Sequence, residues 1–250
     1  MDELSRKRPT IFIEGLPEFE QEIARTLSRQ LSALPQFVDR FRPALSLFDC
    51  CDAKIVELRA HRDQMRSENP DPEDDRYGPE FFADSKIFVE WMNIAARDGA
   101  LTIGDLLELL EETRTTINKF PTVLAQIQGS GIDGVFDFFD SKFPGAKLIR
   151  NAFAHPSTLS NTPAEMRRNM YTGGSTTLVE VRSGEASYMI SGISGRVVTV
   201  TKNGQILEFE MSQETLDTLA AILLKFYQAL GPAEMETRRL WDVWRGSLTS

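Results

Sequence analysis

The stretch LIRNAFAHP, residues 148–156, places an arginine, an asparagine and a histidine just before a proline. Residues four apart in a helix lie on one face, so Asn151 and His155 are expected side by side. Pro156 disfavours helical geometry at the residue before it, which places His155 at or near a helix C-terminus. The sequence therefore predicts that Arg150, Asn151 and His155 gather at the end of a helix, as a candidate chemical site.

Helical periodicity dominates the chain before this stretch. Apolar residues recur every three or four positions, which is typical of amphipathic helices, and the prolines at positions 35 and 121 are expected to break or bend them. Thr102, followed three residues later by Asp105, resembles a capping box and predicts the start of a new helix. The predicted helices before the stretch cover residues 17–34, 35–68, 81–97 and 103–127, with a phenylalanine-rich helical segment at 135–143.

Strand-like patterns follow the stretch. Apolar and polar residues alternate in VVTVTK and ILEFEM, and Asn203-Gly204 between them is typical of a type I′ hairpin turn. Two amphipathic helices are predicted at the C-terminus, Thr215–Leu230 and Ala233–Trp244, separated by Gly231-Pro232. The predicted strands form a four-stranded antiparallel meander and cover Leu178–Arg182, Ser187–Ser191, Arg196–Lys202 and Ile206–Met211.

These patterns together predict a mainly α fold, a helical bundle with an appended β-meander and C-terminal helices. Residues 1–160 would form the bundle that carries the motif. Residues 161–250 would hold the meander and the last helices, packed as one unit. The spacing of Phe136, Phe139 and Phe143 favours core packing over a stacking platform for bases, because helical aromatic stripes usually pack inside.

Composition narrows the classes of function. The 250 residues are 41 % hydrophobic and carry a formal net charge of -9, which argues against an extended basic surface for duplex nucleic acid. The N-terminus has no apolar signal core, and no run of apolar residues is long enough for a membrane span. The sequence thus predicts a cytoplasmic protein without a membrane anchor. The adjacent Cys50 and Cys51 favour two small apolar side chains over a disulfide.

Motifs for metal and cofactor chemistry are missing from the sequence. The chain has only two histidines, His61 and His155, and it contains no pair of cysteines or histidines at zinc-ligand spacing. Gly173-Gly174-Ser175 precedes a predicted strand and lacks the lysine of a phosphate-binding loop. His61 lies in a polar stretch, which is typical of a solvated surface histidine. We therefore expect no metal and no cofactor, and Arg150, Asn151 and His155 stay as the candidate site.

The residues RNAFAH, Arg150 to His155, resemble the signature of the HEPN superfamily, an arginine followed by a short polar-led spacer and a histidine. LIRNAFAH is similar to the leucine-arginine-asparagine-alanine pattern common in bacterial members. The predicted helices before it suit the family's helical bundle. The four-stranded meander would be an addition to that bundle.

The resemblance implies a metal-independent endoribonuclease that acts as a homodimer and brings two motifs together, in toxin or anti-phage defence. His155 would act as general acid or base, Arg150 would neutralise the scissile phosphate, and Asn151 would orient either group. The alternative is a non-catalytic HEPN-like module that binds a nucleotide, RNA or a protein partner. The intact Arg-Asn-His set favours the enzyme, whereas the acidic balance favours the binding module.

Overall fold

The computed structural model describes residues 3–68, 79–127, 131–171 and 192–249. Within these ranges the protein is mainly helical and has one three-stranded antiparallel sheet. No helix in these ranges is long and apolar enough to cross a membrane. The elements are α1 (Glu3–Lys7), α2 (Glu18–Ala33), α3 (Pro35–Glu68), α4 (Pro79–Asn118), α5 (Pro121–Ile127), α6 (Ile132–Lys142), α7 (Ala146–Ala154), α8 (Ser157–Ser160), α9 (Pro163–Asn169), β1 (Gly192–Ser194), β2 (Val197–Lys202), β3 (Gln205–Glu210) and α10 (Gln213–Ser247).

Prolines mark several of the predicted helix boundaries. Helix α2 ends just before Pro35, which is the first residue of α3, and α5 begins at Pro121 after α4 has ended at Asn118. Proline suits the first turn of a helix, where its missing N–H would have no partner. The predicted breaks at positions 35 and 121 are confirmed, whereas Pro43 lies inside α3.

Helix α4 is one continuous helix, so the predicted helix start at Thr102 is wrong. Thr102 is fully buried in the middle of α4, far from the start of the helix. Gly99, three residues before Thr102, faces another part of the same unit: a Cβ at this position would lie 2.6 Å from the Met211 sulfur. Gly99 therefore leaves room for the Met211 side chain, and the helix tolerates its weak propensity.

Helix α10 is also continuous, and the predicted stop at Gly231-Pro232 is wrong. Pro232 lies inside the helix. Proline in a helix interior costs about 3 kcal/mol. Leu230 and Ala233 on either side are fully buried, and their packing keeps both halves of α10 in one helix.

The sheet has the strand order β1-β2-β3, and both of its pairings are antiparallel. Asn203 and Gly204 have φ angles of 52° and 71°, as a type I′ turn requires, and Lys202 pairs with Gln205 across it. The last two predicted strands are thus confirmed. The first two lie outside the described residues, and β1 was not predicted, so a four-stranded meander is not confirmed.

Two compact units are built from alternating segments of the chain. One contains Met1–Asp39, Thr102–Asn151 and Glu214–Ser250, and the other contains Arg40–Leu101 and Ala152–Gln213. The division of the chain into residues 1–160 and 161–250 stays a prediction.

Each unit has its own apolar core. The first unit buries aliphatic side chains of α2, α4 and α10 together with Phe120, Phe139 and Phe226. Of the three phenylalanines in the predicted stripe, Phe139 and Phe143 are buried, as expected for packing, whereas Phe136 is partly buried and lies under the Arg114 guanidinium. The second unit buries Phe41 and Phe48 of α3 together with Leu159, Val198, Val200 and Phe209. Burial of each large side chain contributes roughly 1.5–3 kcal/mol to stability.

Candidate active site

Helix α7 carries the first two residues of the predicted site. Gly145, with a φ of 72°, makes the turn into the helix, and its carbonyl oxygen accepts hydrogen bonds from Leu148 and Ile149. Arg150 and Asn151 lie in the second half of α7 and are partly buried. Ile149 of the same helix is buried and anchors it in the first unit.

His155 is the first residue after α7, as the proline at position 156 predicts. Its side chain is exposed. The division between the two compact units falls between Asn151 and Ala152, so the three candidate residues are close in sequence but belong to two units. Within the second unit, Phe153 packs edge-to-face against Phe209 of β3, with ring centroids 6.5 Å apart.

Arg150 is held by two carboxylates of α4. Its Nε donates a hydrogen bond to Oδ1 of Asp105 over 2.7 Å, and its Nη2 lies 3.0 Å from Oε2 of Glu108. The side chains of Arg150 and Asp105 are each 27 % exposed, whereas Glu108 is 42 % exposed. Asp105 is thus the more enclosed partner of the arginine, and Glu108 is the one more open to exchange with solvent or a ligand.

A glycine makes this contact possible. A Cβ added to Gly104 would lie 2.3 Å from the Cβ of Arg150, far inside contact distance. Only glycine therefore allows α7 to approach α4 at this level. The close approach brings the short side chain of Asp105 within reach of the Arg150 guanidinium.

A second ion pair extends the contact between these helices. Lys147 Nζ lies 2.7 Å from Oε2 of Glu111. Asp105, Glu108 and Glu111 recur every three residues along α4 and therefore share one face. Because Asp105 pairs with Arg150 and Glu111 pairs with Lys147, the two helices run antiparallel here.

The electrostatics of the cluster leave Arg150 charged but surrounded by acids. The hydrogen bond to Asp105 raises the pKa of Arg150, partial burial lowers it, and the charges of Glu108 and Asp105 raise it again, with a net upward shift. Two carboxylates against one guanidinium give this group a formal charge of -1. An incoming phosphate would compete with them for the arginine.

The other histidine and the two cysteines all lie on α3. His61 is exposed on α3, as expected for a surface histidine, Cys50 is exposed and Cys51 is buried. Burial, and then the neighbouring Cys50, raises the pKa of the Cys51 thiol, which weakens it as a nucleophile. Across the described residues, no group of three His, Cys, Asp or Glu side chains could hold a metal ion.

Asp105 and Glu108 are the site residues that sequence reasoning missed. Asp105 was assigned to a capping box with Thr102. The spacing of charges could have indicated this pairing, because acids at positions 105, 108 and 111 match bases at 147 and 150. Two helices with complementary charges every three residues can pair along one face.

No protein-family model, curated protein or solved structure matches this chain. The likeness to the HEPN superfamily therefore rests on the residues of the motif itself.

Proposed function

We propose that this chain is a HEPN-like endoribonuclease that cleaves RNA without a metal ion and works as a homodimer in toxin or anti-phage defence. The observation that carries the proposal is the exposed His155 imidazole directly after α7, the helix on which Arg150 is held in a fixed orientation. A HEPN-like helical bundle with an appended four-stranded meander is part of the same proposal.

The chemistry assigned to His155 is proton transfer. As general base it takes the proton of a ribose 2′-OH, whose oxygen attacks the adjacent phosphorus. The 5′-oxygen leaves with a proton from the His155 imidazolium of the second copy in the proposed homodimer, and the cut strand ends in a 2′,3′-cyclic phosphate. Asn151 orients the histidine or the phosphate by hydrogen bonding.

Arg150 stabilises the charge that develops on the scissile phosphate. The phosphate replaces Glu108 at Nη2, while Asp105 keeps its hydrogen bond to Nε and holds the guanidinium plane. Glu108 suits this exchange, because its side chain is the most exposed of the three. A planar guanidinium with one edge fixed can present its remaining N–H groups to phosphate oxygens.

The reaction class is tested with the full-length protein and a labelled single-stranded RNA in EDTA. We expect cleavage with 2′,3′-cyclic phosphate ends, and no cleavage of a DNA strand of the same sequence. An RNA with one 2′-deoxy nucleotide at a mapped cleavage position should resist cutting there alone. Intact RNA at high protein concentration would overturn the proposal, and so would equal cutting of the DNA strand.

A second candidate function is a non-catalytic HEPN-like module that binds a nucleotide, RNA or a protein partner. The specific observation in its favour is that Arg150 already faces two carboxylates, within a chain of net charge -9. On this view the Arg150 cluster fastens α7 to α4 and takes no part in chemistry. Saturable binding of RNA or a nucleotide, without cleavage by the folded protein, would support the module over the enzyme.

A further inference from the structure

The N-terminal half of α4 exposes a row of large apolar side chains. Ile87 is 46 % exposed, Trp91 is 47 % exposed and Ile94 is 59 % exposed. They are separated by four and then three residues, and the same spacing continues to Asp98 and Leu101. This alternation of four and three is the heptad spacing of helices that pack against another helix. We call Ile87, Trp91, Ile94 and Leu101 the α4 stripe.

A groove lies beside the α4 stripe, between α3 and α4 in the same compact unit. Its volume is about 390 Å³ and its lining is largely apolar: Pro43, Ala44, Leu47, Ile94, Ala95 and Leu101. Leu47 is 37 % exposed, whereas Ala95 is almost fully buried. The small Ala95 side chain leaves room beside the stripe for a large side chain from another molecule.

A charged rim borders the groove. Asp98 accepts hydrogen bonds from Arg40 at 3.0 Å from Nε and 2.6 Å from Nη2. Arg97 lies on the same rim and forms no ion pair with any residue in the described part of the chain. Glu90, within one turn of the stripe's centre, lies 3.9 Å from Lys86, and both of those side chains are more than half exposed.

We propose that the α4 stripe is the contact surface for a second copy of this chain, with the two α4 helices antiparallel. In an antiparallel pair centred between Trp91 and Ile94, Trp91 of each copy lies level with Ile94 of the other. Knobs of one helix then fit between residues of the facing helix and into the groove beside it. The α3 and α4 helices of the two copies together form a four-helix arrangement.

Charge complementarity selects a second copy as the occupant. Glu90 and Arg97 are seven residues apart and therefore flank the same side of the stripe. In the antiparallel pair, Glu90 of each copy comes within about one helical turn of Arg97 of the other, so two opposite-charge contacts form at once. The same surface thus carries both the acidic and the basic residue of each contact, and a two-fold interface requires such self-complementarity.

The position of Asp98 sets the direction of the helices. In a parallel pair, Asp98 of one copy would face Asp98 of the other across the seam, and two like charges would meet. In the antiparallel pair each Asp98 lies away from the centre of the interface, level with Ile87 of the other copy, so the two Asp98 side chains do not meet. There it keeps its contact with Arg40.

This interface does not depend on the proposed ribonuclease activity. The homodimer that the HEPN likeness implies would bring two motifs together at α7. The α4 contact uses different side chains and follows from their exposure, spacing and charge. The association state is measured without RNA. A dimer that Ile94→Glu leaves unchanged would contradict the α4 contact and leave the α7 homodimer standing, whereas a monomer at all concentrations would contradict both.

The first test measures the mass of the full-length protein by sedimentation across a wide range of concentrations. We expect a dimer, and we expect Ile94→Glu to raise its dissociation constant at least about tenfold, because a central apolar contact is replaced by a charge. Val243→Glu is the control, since Val243 is 63 % exposed on α10, outside the stripe. Circular dichroism of both variants confirms that they fold.

The second test exchanges the charges. Glu90→Arg and Arg97→Glu should each weaken the dimer, and the double variant Glu90→Arg/Arg97→Glu should restore it toward the wild-type dissociation constant. A monomer at all concentrations would overturn the proposal. So would a dimer that Ile94→Glu leaves unchanged, or a double variant weaker than both single ones.

Discussion

Arg150 Nε donates a hydrogen bond to Oδ1 of Asp105 over 2.7 Å, and each side chain is 27 % exposed. This contact fixes the motif arginine of α7 to the face of α4, next to a glycine that permits the approach. Glu108 contacts the same guanidinium from a more open position. The arginine therefore has one enclosed partner and one partner that is more open to solvent.

Replacing the two carboxylates should have opposite effects on RNA cleavage. Glu108→Gln removes the charge that competes with phosphate, so we expect KM for RNA to fall several-fold with little change in kcat. Asp105→Asn loosens the guanidinium, so we expect kcat/KM to fall by about tenfold or more. Steady-state cleavage by the two variants checks this, and Glu112→Gln, at an exposed acid of α4, is the control.

Equal loss of activity in both variants would contradict the exchange of Glu108 for phosphate. It would indicate that both carboxylates act only by fastening α7. No change in either variant would remove Arg150 from the reaction.

Glycine at position 104 should be required for stability. Gly104→Ala places a Cβ 2.3 Å from the Arg150 Cβ, so α4 and α7 must separate. We expect the free energy of unfolding to fall by about 1–3 kcal/mol. The matched control is Gly134→Ala in α6, where a Cβ would meet nothing within 4 Å. There the alanine should stabilise the protein by about 0.5–1 kcal/mol.

Urea unfolding of both glycine variants measures these differences. If Gly104→Ala were neutral, the close approach of α7 and α4 would not exist in solution. The position of Arg150 against Asp105 would then need revision.

The two cysteines should differ sharply in reactivity. Cys50 is exposed and Cys51 is buried with a raised pKa, so a thiol reagent at neutral pH should label one thiol per chain in the folded protein. Cys50→Ser should abolish this labelling, and Cys51→Ser should leave it intact. Rapid labelling of both thiols before unfolding would show that α3 is open at this position.

The sequence was sufficient to predict structure at several positions where a single residue restricts the local backbone. Pro35 and Pro121 begin helices, Pro156 ends α7 just before His155, and Asn203-Gly204 makes a type I′ turn. A proline without an N–H, or a glycine with positive φ, acts through its own backbone. At these positions the local backbone decides the structure, whereas at Pro43 and Pro232 the helix continues through the proline.

The sequence failed where packing decides. Thr102 and Asp105 resemble a capping box but lie inside α4, whereas Thr162 and Glu165 form a capping box at the start of α9. There Glu165 N–H donates to the threonine Oγ1 over 3.2 Å, and Thr162 N–H donates to the carboxylate over 3.0 Å. The second pair has glutamate at the third position and Pro163 at the first helical one, which is the stronger signal.

The candidate site was predictable only in part. His155 at the end of α7 follows from Pro156 alone. The pairing of Arg150 with Asp105 depends on two helices meeting at Gly104, which are distant in sequence. Periodicity within each helix could suggest matching charges, but it could not show which helices meet.

The most direct measurement is the rate of RNA cleavage in EDTA by His155→Ala, beside the wild type and His61→Ala purified in the same way. His61 is the only other histidine and is also exposed, so it controls for loss of an imidazole and for contaminating nucleases. If His155 transfers the proton, His155→Ala should fold normally and lose at least about 100-fold in rate, while His61→Ala keeps wild-type activity. Cleavage by His155→Ala at the wild-type rate would contradict the assignment.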